Sequence, residues 1–395
     1  MKVAELRTFV VGNPPPSFGG RYFVFLTLTT DDGIKGVGEV YAATLHPSAL
    51  EPFIHDVFER HVEGADPFAI ETLARRVSAR GYSARPDLSL MGVLSGIEMA
   101  CWDIVGKATG RPVFDLLGGR VHERLRTYTY LYTEPEDRAD VYTDPDLAAE
   151  RAAAYVAQGF TALKFDPVGP YSAFDPRQPS LEALTRTETY VARLREAVGD
   201  RCDLLLGTHG QLTPAGAVRL ARRLERFDLL WFEEPVPPDS PEEMAVVARA
   251  TSIPVATGER LTTKHEFARV LRTGAAAILQ PNLGRVGGIL EAKKIAALAE
   301  VDHVQLAPHL YCGPVVGAAN IQLATCSPNF LILEGIERWQ GFHAQVLMKP
   351  IRWEAGYVIP PSEPGLGVEL NEAVIAQHPY HGERLHLEMA GKPLG

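Results

Sequence analysis

The sequence predicts a (β/α)8 barrel with an N-terminal α+β cap, an α/β fold of the TIM-barrel type. Three observations predict it. Eight short apolar runs alternate with amphipathic helical stretches from about Tyr128 onward. Carboxylates, histidines and amides recur at the C-terminal ends of those runs. The preceding third of the chain instead shows the alternation and turn chemistry of antiparallel strands, followed by helices.

In that first third, Val3–Val11 alternates in part, and Tyr22–Thr30 alternates more clearly and is rich in Phe, Leu and Thr. Asp31-Asp32-Gly33 then leads into Ile34–Val40, a hairpin pattern, because Asp-Gly accepts the positive φ of a tight turn. Asn13–Gly20 is rich in Pro and Gly and reads as a surface loop. Ser48–His61, Pro67–Ala79 and Leu90–Lys107 read as helices, which gives an α+β unit over residues 1–125.

The barrel is expected over residues 126–346. Its apolar runs are Tyr128–Tyr132, Ala162–Phe165, Leu204–Leu206, Leu229–Phe232, Val255–Ala256, Ala277–Leu279, Val304–Ala307 and Phe330–Leu333. Helical stretches such as Pro214–Arg226, Pro241–Ala250, Lys264–Arg272 and Gly288–Ala299 separate them, and parallel strands need such crossovers. An open doubly wound sheet uses the same units. The closed barrel is favoured because the runs number eight and the later units repeat about every 25 residues. Residues 347–395 contain Pro-Gly-rich segments and are expected to pack back on the cap.

A chain of 395 residues with 46% hydrophobic content buries a sizeable core and exceeds one average domain. A net charge of −10 argues against a nucleic-acid surface, so the expected partner is a small molecule. Cys101, Cys202, Cys312 and Cys326 form no CxxC pair, which points to reduced thiols in a cytoplasmic protein rather than zinc or a disulfide scaffold. No secretory h-region and no run of about 18 apolar residues is present, so no membrane association is expected.

The polar residues closing the runs are Asp166, His209, Glu233, Glu259, Asn282, His309 and Glu334. In a barrel these positions converge on one rim, where barrel enzymes keep their active sites. A single strand-end carboxylate is usually solvated or ion-paired; seven polar groups at equivalent positions mark a site. Asp166, Glu233 and Glu259 suit a hard cation such as Mg²⁺. The zinc pattern HExxH is absent, and His209 and His309, about 100 residues apart, read as acid–base groups. No GxSxG elbow or Walker loop occurs. Leu283–Gly288 lies between a strand and a helix; a tight βα turn is the stronger reading and an anion cradle the weaker.

These residues resemble the mandelate racemase subgroup of the enolase superfamily, and within it the galactonate- and mannonate-type sugar-acid dehydratases. The likeness spans essentially the whole chain. It is carried by Ser95–Ile104 followed by Leu116–Arg120, by Trp231–Pro235, Thr257–Arg260, Ile278–Asn282, Ala307–His309, Leu333-Glu334 and Pro364–Glu369. The resemblance implies Mg²⁺ chemistry: a base removes the proton α to a substrate carboxylate, an enediolate forms, and an acid helps the β-hydroxyl leave as water. It makes His309 the base and His209 the acid. Glu334 then bonds the carboxylate oxygen, Lys164 supports it electrostatically, and Glu233 and Glu259 are metal ligands. Asn282, Arg260, Tyr41 and His46 are the candidate substrate-binding residues, with the loops Asn13–Gly20 and Tyr41–His46 reading stereochemistry. A symmetric homo-oligomer is also implied.

Two positions depart from the family pattern. Gly207 stands where an aspartate ligand is usual, in Gly207-Thr208-His209, and Asn282 stands where an aspartate usually orients the base. Asp166 is then the candidate that replaces the missing ligand from the neighbouring strand. The leading expectation is dehydration of an aldonate to a 2-keto-3-deoxy acid. The alternatives are epimerisation or cycloisomerisation through the same intermediate, or a ligand-binding barrel that has lost catalysis.

Overall fold

The computed structural model describes every residue except Ala43, Ser83, Ala84, Pro86 and Gly395. The cap opens with three antiparallel strands, β1 (Val3–Gly12), β2 (Tyr22–Thr30) and β3 (Lys35–Glu39), paired in that order. Central β2 is buried along almost its whole length, as its Phe- and Leu-rich composition requires. Three helices follow: α1 (Pro47–Val57), α2 (Ile70–Ala79) and α3 (Leu88–Thr109), then a short α4 (Val113–Leu116). α3 starts at Asp87, whose carboxylate accepts the Leu90 amide, and it is apolar on most faces because the sheet, α2 and the barrel all pack on it. Among the described residues it is the one helix long and apolar enough to cross a membrane, and 78% of that stretch is buried within the protein.

The barrel strands are β4 (Leu125–Tyr130), β5 (Ala162–Phe165), β6 (Asp203–Gly207), β7 (Trp231–Glu233), β8 (Val255–Thr257), β9 (Ile278–Leu279), β10 (Gln305–Leu306) and β11 (Leu333–Glu334). β4 to β10 pair in parallel in chain order, and β11 returns to pair with β4. The ring closes where the Leu331 amide donates to the Leu306 carbonyl at 2.8 Å and the Leu306 amide to the Asn329 carbonyl at 2.9 Å. That closure excludes the open sheet. Tyr128, Ala162, Leu205, Trp231, Ala256, Ile278, Ala307 and Ile332 fill the interior, large rings set against alanines as a tapering layer needs.

The outer helices are α5 (Pro145–Ala157), α6 (Leu181–Val198), α7 (Pro214–Leu224), α8 (Pro241–Ala250), α9 (Thr263–Thr273), α10 (Ile289–Val301) and α11 (Pro314–Thr325). Asp144, Ser180, Thr213 and Ser240 cap four of them by accepting backbone amides, and Pro occupies the first turn of α5, α7, α8 and α11. After α12 (Phe342–Gln345), the hairpin β12 (Trp353–Glu354) and β13 (Tyr357–Val358) lies antiparallel on β4. The tail then meets the cap, with Glu372 paired to Arg7 at 2.8 Å and Pro379 bridged to Val11. It also reaches a barrel loop: the Ala390 amide donates to the Tyr171 carbonyl at 3.0 Å, and Ser172 Oγ to the Lys392 carbonyl at 2.7 Å.

Cap and barrel are joined through buried carboxylates. Glu98 of α3 accepts the Ile289 and Leu290 amides at the start of α10, both at 2.8 Å, and the Trp102 indole N–H at 2.8 Å. Glu39 accepts the Gly313 and Val316 amides at the start of α11. Asp103 accepts the Leu366 and Val37 amides and pairs with Lys107 at 2.7 Å. Helix N-termini offer unpaired N–H groups and a positive dipole end, so an anion there is stabilised. Gly288 must be glycine at this seam: its φ is 92°, and a Cβ would lie 2.1 Å from Glu98 Oε2.

Candidate active site

Strand register sets the rim. Phe165 pairs with Leu206 between β5 and β6, and Gly207 pairs with Glu233 between β6 and β7. Asp166, Gly207 and Glu233 therefore stand side by side at three consecutive strand ends. His209 projects from a turn fixed by its neighbours: Thr208 Oγ1 donates to the Glu233 and Glu234 carbonyls, and the Gly210 amide donates to the Glu234 carbonyl at 2.7 Å. His209 itself has φ 42°, a left-handed backbone that a histidine holds only at a cost and only when so pinned.

Glu233 is fully partnered. Lys164 is ion-paired to its Oε1, while Trp231 Nε1 at 3.0 Å and Gln280 Nε2 at 2.8 Å donate to Oε2. Lys164 also lies 3.7 Å from Glu334 Oε1 and is wholly buried. Burial disfavours its charge, but Glu233 and Glu334 outweigh that and raise its pKa. Glu334 accepts the Leu310 amide at 2.7 Å. Burial pushes its carboxyl up to about 7 against the pull of Lys164.

Glu259 sits between the histidines. Its Oε2 is 3.2 Å from His309 Nε2 and 3.7 Å from His209 Nε2. Burial raises its pKa, but His309, His209, Lys164 and Arg260 together hold it well below the usual carboxylate range. His209 Nδ1 contacts Tyr171 Oη at 2.8 Å and lies 3.5 Å from Asp166 Oδ2. Burial lowers the pKa of His209, and Glu259 and Asp166 overcome that and raise it. His309 is the reverse: burial pushes it down to about 3 despite Glu259.

Asn282 sets the tautomer of His309. Its Oδ1 accepts the Gly284 amide at 2.8 Å, so its Nδ2 faces His309 Nδ1 at 2.8 Å. An amide N–H facing Nδ1 makes that nitrogen an acceptor and leaves the neutral ring's proton on Nε2.

The donor set suits a hard divalent cation. One ligand atom each from His209, Glu233 and Glu259 lie within 4.8 Å of one another. Glu259 Oε2 and Asp166 Oδ1 are buried without a hydrogen-bond partner. Buried oxygens in native proteins are rarely left so unless an ion, water or substrate completes them.

Residues 147–374 match the family model described as enolase C-terminal domain-like, and residues 16–118 match the mandelate racemase / muconate lactonizing enzyme N-terminal domain. The chain belongs to the mandelate racemase group of the enolase superfamily. Among curated relatives, a D-galactonate dehydratase from Verminephrobacter eiseniae is 35% identical over 386 residues, covering 95% of this chain and 94% of that protein. Among solved structures, a Sulfitobacter protein described as mandelate racemase/muconate lactonizing enzyme is 53% identical with a TM-score of 0.98, and each chain is covered completely. A Roseovarius sp. TM1035 protein described as mandelate racemase/muconate lactonizing enzyme-like is 53% identical with a TM-score of 0.97, covering 100% of this chain and 99% of that one.

As an enolase-superfamily enzyme, the chain gathers Lys164, Asp166, His209, Glu233, Glu259, Asn282, His309 and Glu334 at one rim. Three expected substrate-binding side chains are otherwise engaged. Arg260 is bound to buried Glu234 at 2.7–2.8 Å. His46 caps α1 through Ser48 and bonds the Gly382 carbonyl at 3.0 Å, which makes it a clasp between cap and tail. Asn282 holds His309. Tyr41 stays near the rim, its ring 6.5 Å from that of His309, with the Arg285 guanidinium 4.0 Å above it. Ala43, within the Tyr41–His46 loop, lies outside the described residues. Sequence reasoning missed Tyr171, Gln280, Trp231 and Arg285. Trp231 was legible as a polar-tipped residue two positions before Glu233, and Gln280 as one two positions before Asn282. Tyr171 was not, because its loop is fixed by the distant tail.

Proposed function

We propose that the chain dehydrates a sugar acid of the aldonate class, such as galactonate, to a 2-keto-3-deoxy acid. The observation that carries this reading is the convergence of His209 and His309 on one oxygen of Glu259. It puts two proton-transferring groups of opposite tendency at a single acidic site. The D-galactonate dehydratases at 35% identity support the substrate class. When bound, Mg²⁺ supplies a positive centre for the charge that develops on a substrate carboxylate as its α-proton leaves. Glu233 and Glu259 would hold that ion. Lys164 adds a fixed cation, and Glu334, part-protonated near neutral pH, donates to a carboxylate oxygen. Neutral His309 takes the α-proton to give the enediolate. His209, whose pKa Glu259 and Asp166 raise against burial, gives a proton to the departing β-hydroxyl, which leaves as water, and the enol product becomes the ketone.

One observation favours a second assignment of the same two residues. With Asn282 donating to Nδ1, neutral His309 carries its hydrogen on Nε2 and is set to give a hydrogen bond rather than to accept a proton. His209 then exchanges the proton. Exchange of the substrate α-hydrogen with solvent deuterium separates the two: loss of exchange in His309→Asn alone supports the first, and loss in His209→Asn alone supports the second.

The test of the function is a panel of aldonic acids incubated with enzyme and Mg²⁺ and assayed for 2-keto acid. Epimer formation without keto acid points instead to an epimerase or cycloisomerase. Binding without turnover across the panel points to a ligand-binding barrel.

A further inference from the structure

The third strand of the barrel ends in Gly207, which brings no donor to a rim where its neighbours β5 and β7, and β8 beyond them, each bring a carboxylate. The space beside Gly207 is nevertheless filled. A Cβ placed on Gly207 would lie 2.0 Å from Asp166 Oδ1 and 3.1 Å from Asp166 Cγ. The carboxylate of Asp166 therefore leans across from β5 and occupies the position a side chain at 207 would take. Any larger residue at 207 would expel it.

The two oxygens of Asp166 are differently placed. Oδ2 lies 3.5 Å from His209 Nδ1. Oδ1, in the Gly207 space, is buried and has no hydrogen-bond partner. Glu259, only 7% exposed, likewise has Oε2 buried without a hydrogen-bond partner. Asp166 Oδ1 is thus desolvated and unpartnered, and Glu259 Oε2, though faced by His309 and His209, completes no hydrogen bond; such oxygens are costly unless a cation satisfies them. Glu233 lies beside Gly207 by strand register. The compact donor group is the His209 imidazole with Glu233 and Glu259; Mg²⁺ prefers oxygen to imidazole nitrogen, and the Asp166 carboxylate stands beside that ring, Oδ2 at 3.5 Å from Nδ1.

We propose that Asp166, reaching through the space left by Gly207, is the third carboxylate ligand of the divalent-cation site, with Glu233 and Glu259. This rests on the reading of the chain as a Mg²⁺ enzyme. Glycine at 207 and aspartate at 166 are then one arrangement: the ligand comes from the second strand, and the glycine makes room for it. Its second oxygen stays free to orient His209, so one carboxylate links the cation site to a proton-transferring group.

The experiment is calorimetric titration of the metal-free protein with Mg²⁺ and with Mn²⁺, without substrate. Removing a group that merely supports a metal ligand costs about 10–100-fold in affinity, so losing a direct ligand is expected to weaken binding at least about 10-fold. Asp166→Asn should show that loss. Gly207→Ala, which keeps the aspartate but puts a methyl where its oxygen sits, should also bind more weakly. Asp166→Asn combined with Gly207→Asp should recover most of the affinity. His209→Asn should bind within about 3-fold of the parent, since it removes no oxygen ligand. Undiminished affinity in folded Asp166→Asn, or in Gly207→Ala, overturns the proposal and leaves the Mg²⁺ reading standing. A parent protein that binds neither ion overturns both.

Discussion

Glu39, Glu98 and Asp103 at the cap–barrel seam and Asp166, Glu233, Glu259 and Glu334 at the barrel rim are all carboxylates largely withdrawn from water, yet the protein completes them in opposite ways. Seam oxygens meet mostly backbone amides, those of Glu98 and Glu39 at the starts of α10 and α11, with the Trp102 indole added on Glu98 and Lys107 on Asp103. Rim oxygens meet lysine, histidine and side-chain amides, and Asp166 Oδ1, Glu259 Oε2 and Glu334 Oε1 complete no hydrogen bond, although His309 and His209 face Glu259 Oε2 and Lys164 faces Glu334 Oε1. The difference teaches how to sort buried acids. Those satisfied by fixed dipoles hold the two layers together, and those left incomplete beside titratable groups are poised for a ligand.

The largest expected effect comes from the rim. His309→Ala removes a positioned proton-transferring group and should lower turnover by about 10²–10⁴-fold. Stability should change far less, because the imidazole nitrogens face only side chains of the site, Asn282 and Glu259. Steady-state kinetics with circular dichroism checks both, and turnover near the parent level would place the chemistry elsewhere.

At the seam the balance inverts. Glu98→Ala strands the Ile289 and Leu290 amides and the Trp102 indole N–H in a buried setting. Each unsatisfied buried donor costs about 1–3 kcal/mol, so a stability loss of roughly 3 kcal/mol or more is expected in denaturant unfolding. Turnover per folded molecule should stay near the parent value. A variant as stable as the parent would mean that water replaces the carboxylate at no cost.

The same residue gives a smaller, pH-dependent effect. Burial raises Glu98 from 4.5 to about 7, against the pull of the Leu290 and Ile289 amides. Between those values the folded protein keeps a proton that the unfolded chain has released. This contribution is therefore fully present below about pH 4.5 and is lost as pH rises through about 7. Glu98→Gln cannot titrate, so its stability should fall by roughly 1–3 kcal/mol less across that window. Glu39, also raised to about 7 by burial, keeps the slope from vanishing. Equal slopes in parent and variant would show that Glu98 is not desolvated as described.

The legible part of this molecule is what sequence order controls. A strand end lies on the rim whatever surrounds it, so Glu233, Glu259, His309 and Glu334 were readable from the apolar runs before them. Two helix starts, Pro214 and Pro241, were readable as well, and they open α7 and α8. Partner choice between distant side chains was not readable. Nothing near Arg260 says that Glu234 takes it, or that His46 turns to Gly382 in the tail. The tail was expected on the cap, and its further contacts with Tyr171 and Ser172 depend on the path of residues 390–392.

Tyr171 carries the smallest effect and the finest test of the comparison. Its hydroxyl contacts His209 Nδ1 at 2.8 Å, and burial, with the nearby Asp166 charge, keeps the phenol neutral by raising its pKa well above the ordinary value. A neutral hydroxyl beside Nδ1 fixes the ring orientation without supplying charge, unlike the lysine that completes Glu233. Its loop is held by the Ala390 amide on the Tyr171 carbonyl, an anchor that the side chain does not share. Tyr171→Phe therefore keeps the loop and deletes one neutral hydrogen bond, worth about 0.5–1.5 kcal/mol. Turnover should fall by roughly 3–10-fold with the melting temperature nearly unchanged. A collapse in stability with little kinetic change would move Tyr171 from the rim to the architecture, and would blur the line between the two sets of acids.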